Sequence, residues 1–477
     1  MVASSIDIGI LIVYMAGMVG IGYWGYKKSD TLDDYLVAGR NIPIWMYIPV
    51  MSAVILGGAS TIGGGGLGYQ HGISGAWLVV SLGIGTIVLG ILISTKLANL
   101  RAFSLGGVLE RRFDKYSGTI GAVIAGVYAL TIAITQTIAI GKILSVLFGT
   151  NQSQMIIIAG IIVIAYTALG GMLTVTITDF VQWCIMTVGI FFLAVPFGLN
   201  SIGGFSTLAA DLDPSFFSVT AIGWRTIAGY FLLYVLGIMI GQDIWQRVFT
   251  AKDADVARTG TIIAGVYSIV YGVTTAFLGM MALVLLPNLQ DPELALPRMI
   301  LRVIPVGLSG LILAGFVSAM MSTADSALLA SSTLLTNDVY KRFIAPDASD
   351  ATYTTVSRGL IVALGLVMIY AAVRIGNVVD ALVLAYDLLT GCIFVPVFGA
   401  FFWKRATWQG ALSSILVSGT VVIASLSLYG FGSDLPILYG LAASFLTFVV
   451  VSYVTGPPAR EKLQQWLNDT EISPTVE

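Results

Sequence analysis

Charge is what this 477-residue chain has least of: Asp, Glu, Lys and Arg make up 10% of it, against roughly 25% in an ordinary soluble domain. With 57% hydrophobic residues and a mean hydropathy of +0.93, the chain lacks the polar surface a water-soluble enzyme or binding module needs, and it reads as a polytopic membrane protein. Histidine is nearly absent. His71 stands alone, so no histidine metal site can form, and no clustered nucleophile, base or metal-ligand constellation points to an enzyme. Two cysteines, Cys184 and Cys392, both inside apolar segments, give no disulfide framework. A formal net charge of −2 offers nothing to a nucleic-acid partner. The tail from Pro457 to Glu477 is polar and short, too small for an added catalytic domain. Glycine, by contrast, is abundant at 54 residues, which suits close helix packing and helix breaks.

Apolar runs near the ~20 residues needed to cross ~30 Å of hydrocarbon fall at about 6 to 25, 43 to 68, 75 to 95, 117 to 148, 154 to 170, 175 to 200, 223 to 242, 259 to 287, 306 to 336, 353 to 374, 378 to 403, 408 to 430 and 434 to 455. Thirteen transmembrane helices are therefore expected. The first lacks a basic leader and a small-residue cleavage site, and is read as a helix rather than a signal peptide. With the N-terminus outside, loops on the cytoplasmic side carry 18 of the 23 Lys and Arg, Arg247, Lys252 and Arg258 among them. This excess fixes the expected orientation in a plasma membrane as N-terminus out and C-terminus in.

One stretch organises the rest: Gly57-Gly58-Ala59-Ser60-Thr61-Ile62-Gly63-Gly64-Gly65-Gly66, in the middle of the second span. Each glycine costs roughly 1 kcal/mol relative to alanine in a helix, so six in ten positions predict an unwound helix there. Exposed backbone at membrane depth is tolerated only where it is buried in protein, lines a cavity or holds an ion, which points to the ion and substrate site of a transporter. In the ninth span, Ala319, Ser322, Thr323 and Ser326 follow i, i+3, i+4, i+7 spacing, placing three hydroxyls on one helix face. Packing, with hydroxyls bonded back to the i−4 carbonyl, is the alternative use of that face. Depth favours a site: counted from their cytoplasmic ends, Ala59 and Ser322 both lie roughly 21 to 22 Å in. Freed carbonyls and hydroxyls at one level make an all-oxygen cage for a hard cation.

Four carboxylates also lie in or beside apolar spans, where an ionised group needs a partner: Asp179, Asp325, Asp380 and Asp387. Asp179 follows Gly170-Gly171-Met172 and precedes Gln182, near the start of the sixth span, where the helix dipole also favours it. No partner for Asp325 can be named from its neighbours. Lys142, alone in an apolar segment, and the run from Asp291 to Arg302 have no assigned role, though the latter has the pattern of an outer-loop helix.

Several motifs in order resemble those of the sodium:solute symporter family. They are Asp33-Asp34-Tyr35-Leu36-Val37-Ala38-Gly39-Arg40, Gly170-Gly171-Met172 leading to Thr178-Asp179 and Gln182, Gln246-Arg247 with Ala251-Lys252, Met321-Ser322-Thr323-Ala324-Asp325-Ser326 followed by Asp338-Val339-Tyr340-Lys341, and Phe402-Trp403-Lys404-Arg405-Ala406-Thr407. The resemblance implies an all-α LeuT-type fold with a 5+5 inverted-repeat core. Its parts would be an N-terminal helix and loop (1–42), a first repeat (43–200), an outer loop (201–222), a second repeat (223–403), two C-terminal helices (404–456) and a cytoplasmic tail (457–477). It implies Na+ on the carbonyls of Ala59, Ile62 and Ala319 and the hydroxyls of Ser322 and Thr323. Asp179 matches a carboxylate on the inward sodium route, and a second sodium would use Asp179, Asp325 and Ser326.

The function so implied is Na+-coupled symport of a small organic solute by alternating access, with Na+ the coupling ion, no other cofactor and no obligatory protein partner. A sugar needs many hydrogen-bond partners, and Gly66 and Ala76 stand where the sugar branch has polar side chains. A carboxylate or amino-acid-like solute therefore fits better, lined by Gly66, Gln136, Tyr234, Gly237, Gln242 and Tyr386. A choline-like cation held by aromatics and Asp387 competes with it. Outside this class stand a channel, which would conduct without solute, and a membrane sensor module.

Overall fold

The computed structural model describes residues 3–26, 38–102, 104–169, 172–430, 433 and 435–471, and among these the chain is helical with no strand beyond an isolated Ile42–Ala251 bridge. Lys27, Lys28, the Asp33–Val37 part of the first-loop motif, Gly170 and Gly171 lie outside the described residues. Each of the thirteen expected segments coincides with helical structure. In order, the helices used below are α1 (Ser5–Tyr26), α2 (Ile44–Ile55), α3 (Gly64–His71), α4 (Trp77–Leu92), α5 (Ser94–Leu100), α6 (Leu105–Arg112), α7 (Lys115–Phe148), α8 (Gln152–Leu169), α9 (Met172–Thr187), α10 (Val195–Ile202), α11 (Trp224–Tyr230), α12 (Gln242–Thr250), α13 (Ala254–Leu285), α14 (Ala295–Val303), α15 (Leu308–Leu334), α16 (Asp350–Ile375), α17 (Val378–Phe402), α18 (Trp408–Tyr429), α19 (Leu435–Val454) and α20 (Arg460–Glu471).

Among the described residues nine helical runs are long and apolar enough to cross a membrane, and the bent pair Trp224–Ile238 and Gln242–Thr250 makes a tenth. One of the nine, the 34-residue run Ala59–Leu92, joins the second half of the interrupted segment to the next helix. Gly72 takes φ +63, and a side chain at Gly75 would run into the Leu67–Gly68 backbone, so the chain doubles back on itself there. Helix starts follow their caps: Asp114 accepts from Tyr116 and Ser117 N–H, Asp253 from Val256, Ser349 from Thr352, Asn377 from Asp380 and Thr407 from Gly410.

Burial separates a core from a shell. Within their apolar windows, the Leu308–Ile344 run is 94% buried and the Lys115–Phe148 run 78%, whereas Val175–Ile202, Asp350–Ile375 and Leu435–Val454 are each 28% buried. The centre of the molecule is therefore α7 packed on α15 and α17, with α9, α16 and α19 turned outward. A second packed group, α3 and α4 on α13, lies against it.

The glycine run behaves differently from the sequence expectation. The helix stops at Leu56 (φ −94, ψ 43), and a π-helical turn over Ala59–Gly63 leads directly into α3. Gly63 through Gly68 remain helical. Their use is contact: a Cβ at Gly65 would strike Leu296, one at Gly68 the Ala276 backbone, and one at Gly279 of α13 the Gly65 carbonyl. Absent side chains let α3 and α13 approach backbone to backbone, and that packing outweighs the weak helix propensity of glycine.

Candidate functional site

At the first interruption, the loosened backbone groups find partners in the protein. The Gly58 N–H donates to Gln136 Oε1 at 2.5 Å, the Ser60 hydroxyl donates to the Ile55 carbonyl at 2.7 Å, and the Thr275 hydroxyl donates to the Ser60 carbonyl at 3.2 Å. The Ala59 carbonyl accepts the Gly64 N–H, which uses one of its two lone pairs. The second interruption, between α11 and α12, has its own supports. The Trp245 indole donates to the Met239 carbonyl at 2.8 Å and the Thr390 hydroxyl to the Leu233 carbonyl at 3.2 Å, across a 43° bend. Two broken helices are thus held by side chains from α7, α13, α17 and their own second halves, as backbone freed within an apolar span requires.

A cavity of about 20 Å3 lies where the two breaks meet, enough for one water-sized occupant. Gly57, Ala59 and Ser60 of the first break, Ile238, Asp243 and Ile244 of the second, Gln136 of α7, Thr323 of α15 and Tyr386 of α17 line it, with Leu82 and Ile132 among its apolar walls. The structure so brings together Ala59, Thr323, Gln136 and Tyr386 from the sequence-derived set. Ile62, Ala319 and Ser322 are buried beside this cluster in the same helices. Thr323 donates its hydroxyl to the Ala319 carbonyl at 3.1 Å, the back-bond of a packed membrane threonine. Ser322 does not follow suit: its hydroxyl is fully buried and makes no hydrogen bond among the described residues. An orphaned buried hydroxyl costs about 1 to 3 kcal/mol, and is a site for an oxygen-seeking partner.

Asp243 was missed from the sequence. It sits in the first turn of α12, buried, and accepts from the Tyr128 hydroxyl at 3.2 Å. Tyr128 packs edge-on against Tyr386, Tyr386 against Tyr234, and Tyr234 on Tyr230, with centroid separations of 5.3 to 5.4 Å. The wall beside the Asp243 carboxylate is therefore aromatic.

The residues assigned to the sodium route gather around a cation that sequence reading put in a loop. Arg247, on α12, is fully buried; its guanidinium pairs with Asp179 Oδ2 at 3.2 Å and donates to Ser326 Oγ at 2.5 Å. Ser326 donates to Asp325 Oδ1 at 3.2 Å. Asp179 of α9, Arg247 of α12, and Asp325 and Ser326 of α15 form one buried cluster, and Arg247 is the nearby cation Asp325 lacked in the sequence. Gln182 donates to Ser318 Oγ at 2.8 Å beside it.

Other sequence-derived residues stand apart from the cavity lining. Gly66 faces the Pro292–Glu293 backbone, and Gly237 lets Tyr386 and Thr390 close on the α11–α12 segment. Gln242 accepts the Leu105 N–H at 2.7 Å, tying α12 to α6. Asp387 is buried, and Asp380 lies in the first turn of α17. Lys142 has its explanation here: it pairs with Glu293 Oε2 at 2.8 Å and with Asp291, both in the run that precedes α14. Glu293 also accepts the Val378 and Val379 N–H groups at 3.2 to 3.3 Å, capping α17.

Comparison with known proteins bears on the family and the fold. The model of the sodium:solute symporter family matches residues 35–418. The high-affinity proline transporter PutP of Bacillus subtilis is 26% identical over 94% of this chain and 98% of its own length. The sodium/pantothenate symporter of Escherichia coli is 26% identical over 92% and 95%, and the sodium/glucose cotransporter of Vibrio parahaemolyticus 25% identical over 87% and 84%. Among solved structures, a Na+-coupled sialic acid symporter in a substrate-bound outward-open state superposes with a TM-score of 0.82 at 21% identity, covering 96% of this chain and 99% of that one. The transporter Mhp1 in a closed conformation gives 0.60 at 15% identity, covering 92% and 99%. At these identities the two structures speak to the fold alone.

Proposed function

We propose that this chain, which belongs to the sodium:solute symporter family, couples Na+ entry to uptake of a small solute of amino- or imino-acid type. The coarser part needs no proposal: the chain is a Na+-coupled symporter of a small organic solute, with the LeuT-type fold, and not an enzyme. The solute class is our reading, and one observation carries it. The cavity that Ala59 and Thr323 share also holds a buried carboxylate, Asp243, against an aromatic wall and an amide, Gln136.

In this reading Na+ sits on the carbonyls of Ala59, Ile62 and Ala319 and the hydroxyls of Ser322 and Thr323. Asp243 takes the solute's ammonium, and the Tyr128, Tyr386 and Tyr234 rings cover its apolar body. Relatives named as proline transporters support this class. Two inverted repeats, 43–200 and 223–403, flanked by one helix before and two after, would form the core, with the N-terminus outside a plasma membrane and the cation-rich face inside. Asp179, Asp325 and Ser326 would lie on the inward path of the ion.

The thermodynamics suffice. One Na+ moving inward down ~100 mV supplies about 2.3 kcal/mol and a tenfold gradient about 1.4, which supports roughly 500-fold accumulation of a neutral solute at 1:1 coupling. Na+ drives uptake only by binding the outward-open form better than the inward-open one. A cage shared by the first repeat (Ala59, Ile62) and the second (Ala319, Ser322, Thr323) meets that condition, because it closes only when the repeats are correctly apposed.

Proteoliposome uptake tests the assignment with two variants. Ser322→Ala combined with Thr323→Ala should raise the Na+ needed for half-maximal uptake by about tenfold or more, and Asp243→Asn should raise the solute concentration needed by a similar factor. Proline and choline as competitors separate an imino acid from a quaternary ammonium, which the tyrosines beside Asp243 would also suit. Unchanged Na+ dependence in the first variant, or unchanged solute dependence in the second, removes the corresponding site.

A further inference from the structure

The C-terminal helix α20 is docked. Trp466 is buried with its ring 5.4 Å from that of Phe401, Asn99 donates to the Thr470 carbonyl at 3.4 Å, and Lys462 bonds the Phe113 carbonyl. Docking leaves a cavity of about 210 Å3 between α20 and the ends of α5, α6 and α17, about ten times the space at the transport site. Among the described residues its charged lining is cationic throughout: Lys96, Arg112 and Lys404. The carboxylates nearest in sequence to Arg112 are committed elsewhere, Glu110 to an ion pair with Arg342 and Asp114 to capping α7. Along α20, Leu463, Trp466, Leu467 and Thr470 face the cavity at helical spacing, which turns Glu461 to the far side.

Arg112 is the second, independent observation. It is 2% exposed, its Nη2 donates to the carbonyls of Trp403, Lys404 and Ala406 at 3.3 to 3.4 Å, and its Nε is buried with no hydrogen-bond partner among the described residues. A guanidinium N–H withheld from water and left without an acceptor is costly. Lys96 lies 4.5 Å from the Phe402 ring centroid, so its ammonium is already drawn into the aromatic rim of the cavity. The positive-inside bias explains cations on this face in general. It does not explain three of them converging on one space with an unused donor among them.

We propose that this cavity binds a phosphate group, with Arg112 Nε, Lys96 and Lys404 donating to its oxygens and the Phe401 and Trp466 walls meeting whatever apolar part adjoins it. At the membrane's cation-rich face the fitting bearer is the headgroup of an anionic phospholipid. Bound there, it ties the tail helix to the end of α17, a helix that also carries Tyr386 of the transport cavity.

The test uses the full-length protein in nanodiscs of phosphatidylcholine alone, of phosphatidylcholine with phosphatidylglycerol, and of phosphatidylcholine with millimolar inorganic phosphate, with thermal unfolding as the readout. Phosphatidylglycerol should raise the Tm by about 3 °C or more. Lys96→Ala with Lys404→Ala should abolish most of that rise, and Lys96→Arg with Lys404→Arg should keep it. An equal, lysine-dependent rise with inorganic phosphate assigns the site to a soluble phosphate compound instead of a lipid. Should the alanine pair fold poorly, Lys404→Glu alone, at an exposed position, must still lose the rise. A shift in either arm that ignores Lys96 and Lys404, or no shift at all, overturns the proposal.

Discussion

Two charge clusters brace this transporter, and in each the carboxylates outnumber a single cation. In the proposed orientation Lys142 meets Glu293 and Asp291 on the outer side, and Arg247 meets Asp179 on the inner side, with Asp325 joined through Ser326. What differs is how the surplus negative charge is met. The Glu293 carboxylate accepts the first N–H groups of α17, and the Asp291 side chain is one-third exposed, so amide dipoles and water share the load. In the inner cluster Arg247 stands in the last turn of α12, but neither carboxylate caps a helix start and no side chain reaches solvent. All four of its side chains are buried, and Asp179 Oδ1 and Arg247 Nε make no hydrogen bond among the described residues. The outer cluster is built as a satisfied joint and the inner one as a joint that the arrival of another cation would improve. In the proposed reading, that asymmetry suits a path on which Na+ leaves past the Arg247 cluster.

The largest effect should come from removing the inner cation. Arg247→Met strands two buried carboxylates, which costs about 3 to 5 kcal/mol, and we expect a fall in Tm with loss of uptake. Adding Asp179→Asn and Asp325→Asn to that variant should restore much of the stability but not the transport. If Arg247→Met is as well tolerated as the corresponding outer change, Lys142→Met, the two clusters are equivalent and the contrast fails.

The sequence made one of these joints far easier to see than the other, and the reasons are physical. Lys142 is conspicuous because an ammonium in an apolar segment demands a partner, but that partner lies about 150 residues away and no local pattern announces it. Arg247 is hidden for the opposite reason: it follows the apolar run of its span, as loop cations do, and only the bend before Gln242 carries it back into the protein. The same bend conceals Asp243. The hydroxyl face of α15 was legible from its spacing alone, although spacing cannot distinguish Thr323, bonded back to Ala319, from Ser322, which is not. Glycine composition placed a break in the Gly57–Gly66 stretch of the second span but overstated its extent. Gly57 and Gly58 loosen the helix, while Gly65 and Gly68 serve contact, and only the neighbouring helix tells the two uses apart.

Lys142→Met should have an intermediate effect and a distinctive pH dependence. Burial pushes the Glu293 carboxyl above its ordinary value of 4.5, while Lys142 beside it pulls the other way. Without Lys142 the upward push is unopposed except by the α17 amides. A carboxyl raised by folding contributes stability that is present at low pH and lost as pH rises through its folded value. The variant should therefore be less stable than wild type by about 2 kcal/mol at neutral pH, and should recover as the pH is lowered toward 5. A pH-independent loss would mean that Lys142 acts by packing.

Asp291→Asn should change least, and it sharpens the contrast by splitting the outer cluster. Asp291 Oδ1 accepts the Glu293 N–H at 3.0 Å, a bond that an asparagine carbonyl keeps, so the turn that presents Glu293 should survive. What the variant loses is an ion pair one of whose partners is partly solvated, worth about 0 to 1 kcal/mol and screened by salt. We expect a Tm within about 3 °C of wild type, a difference that shrinks further in high salt, and no recovery on acidification. A loss as large as that of Lys142→Met would make Asp291 the cation's main partner. The outer joint would then depend on a pair open to water, and its advantage over the inner one would rest on the α17 amides alone.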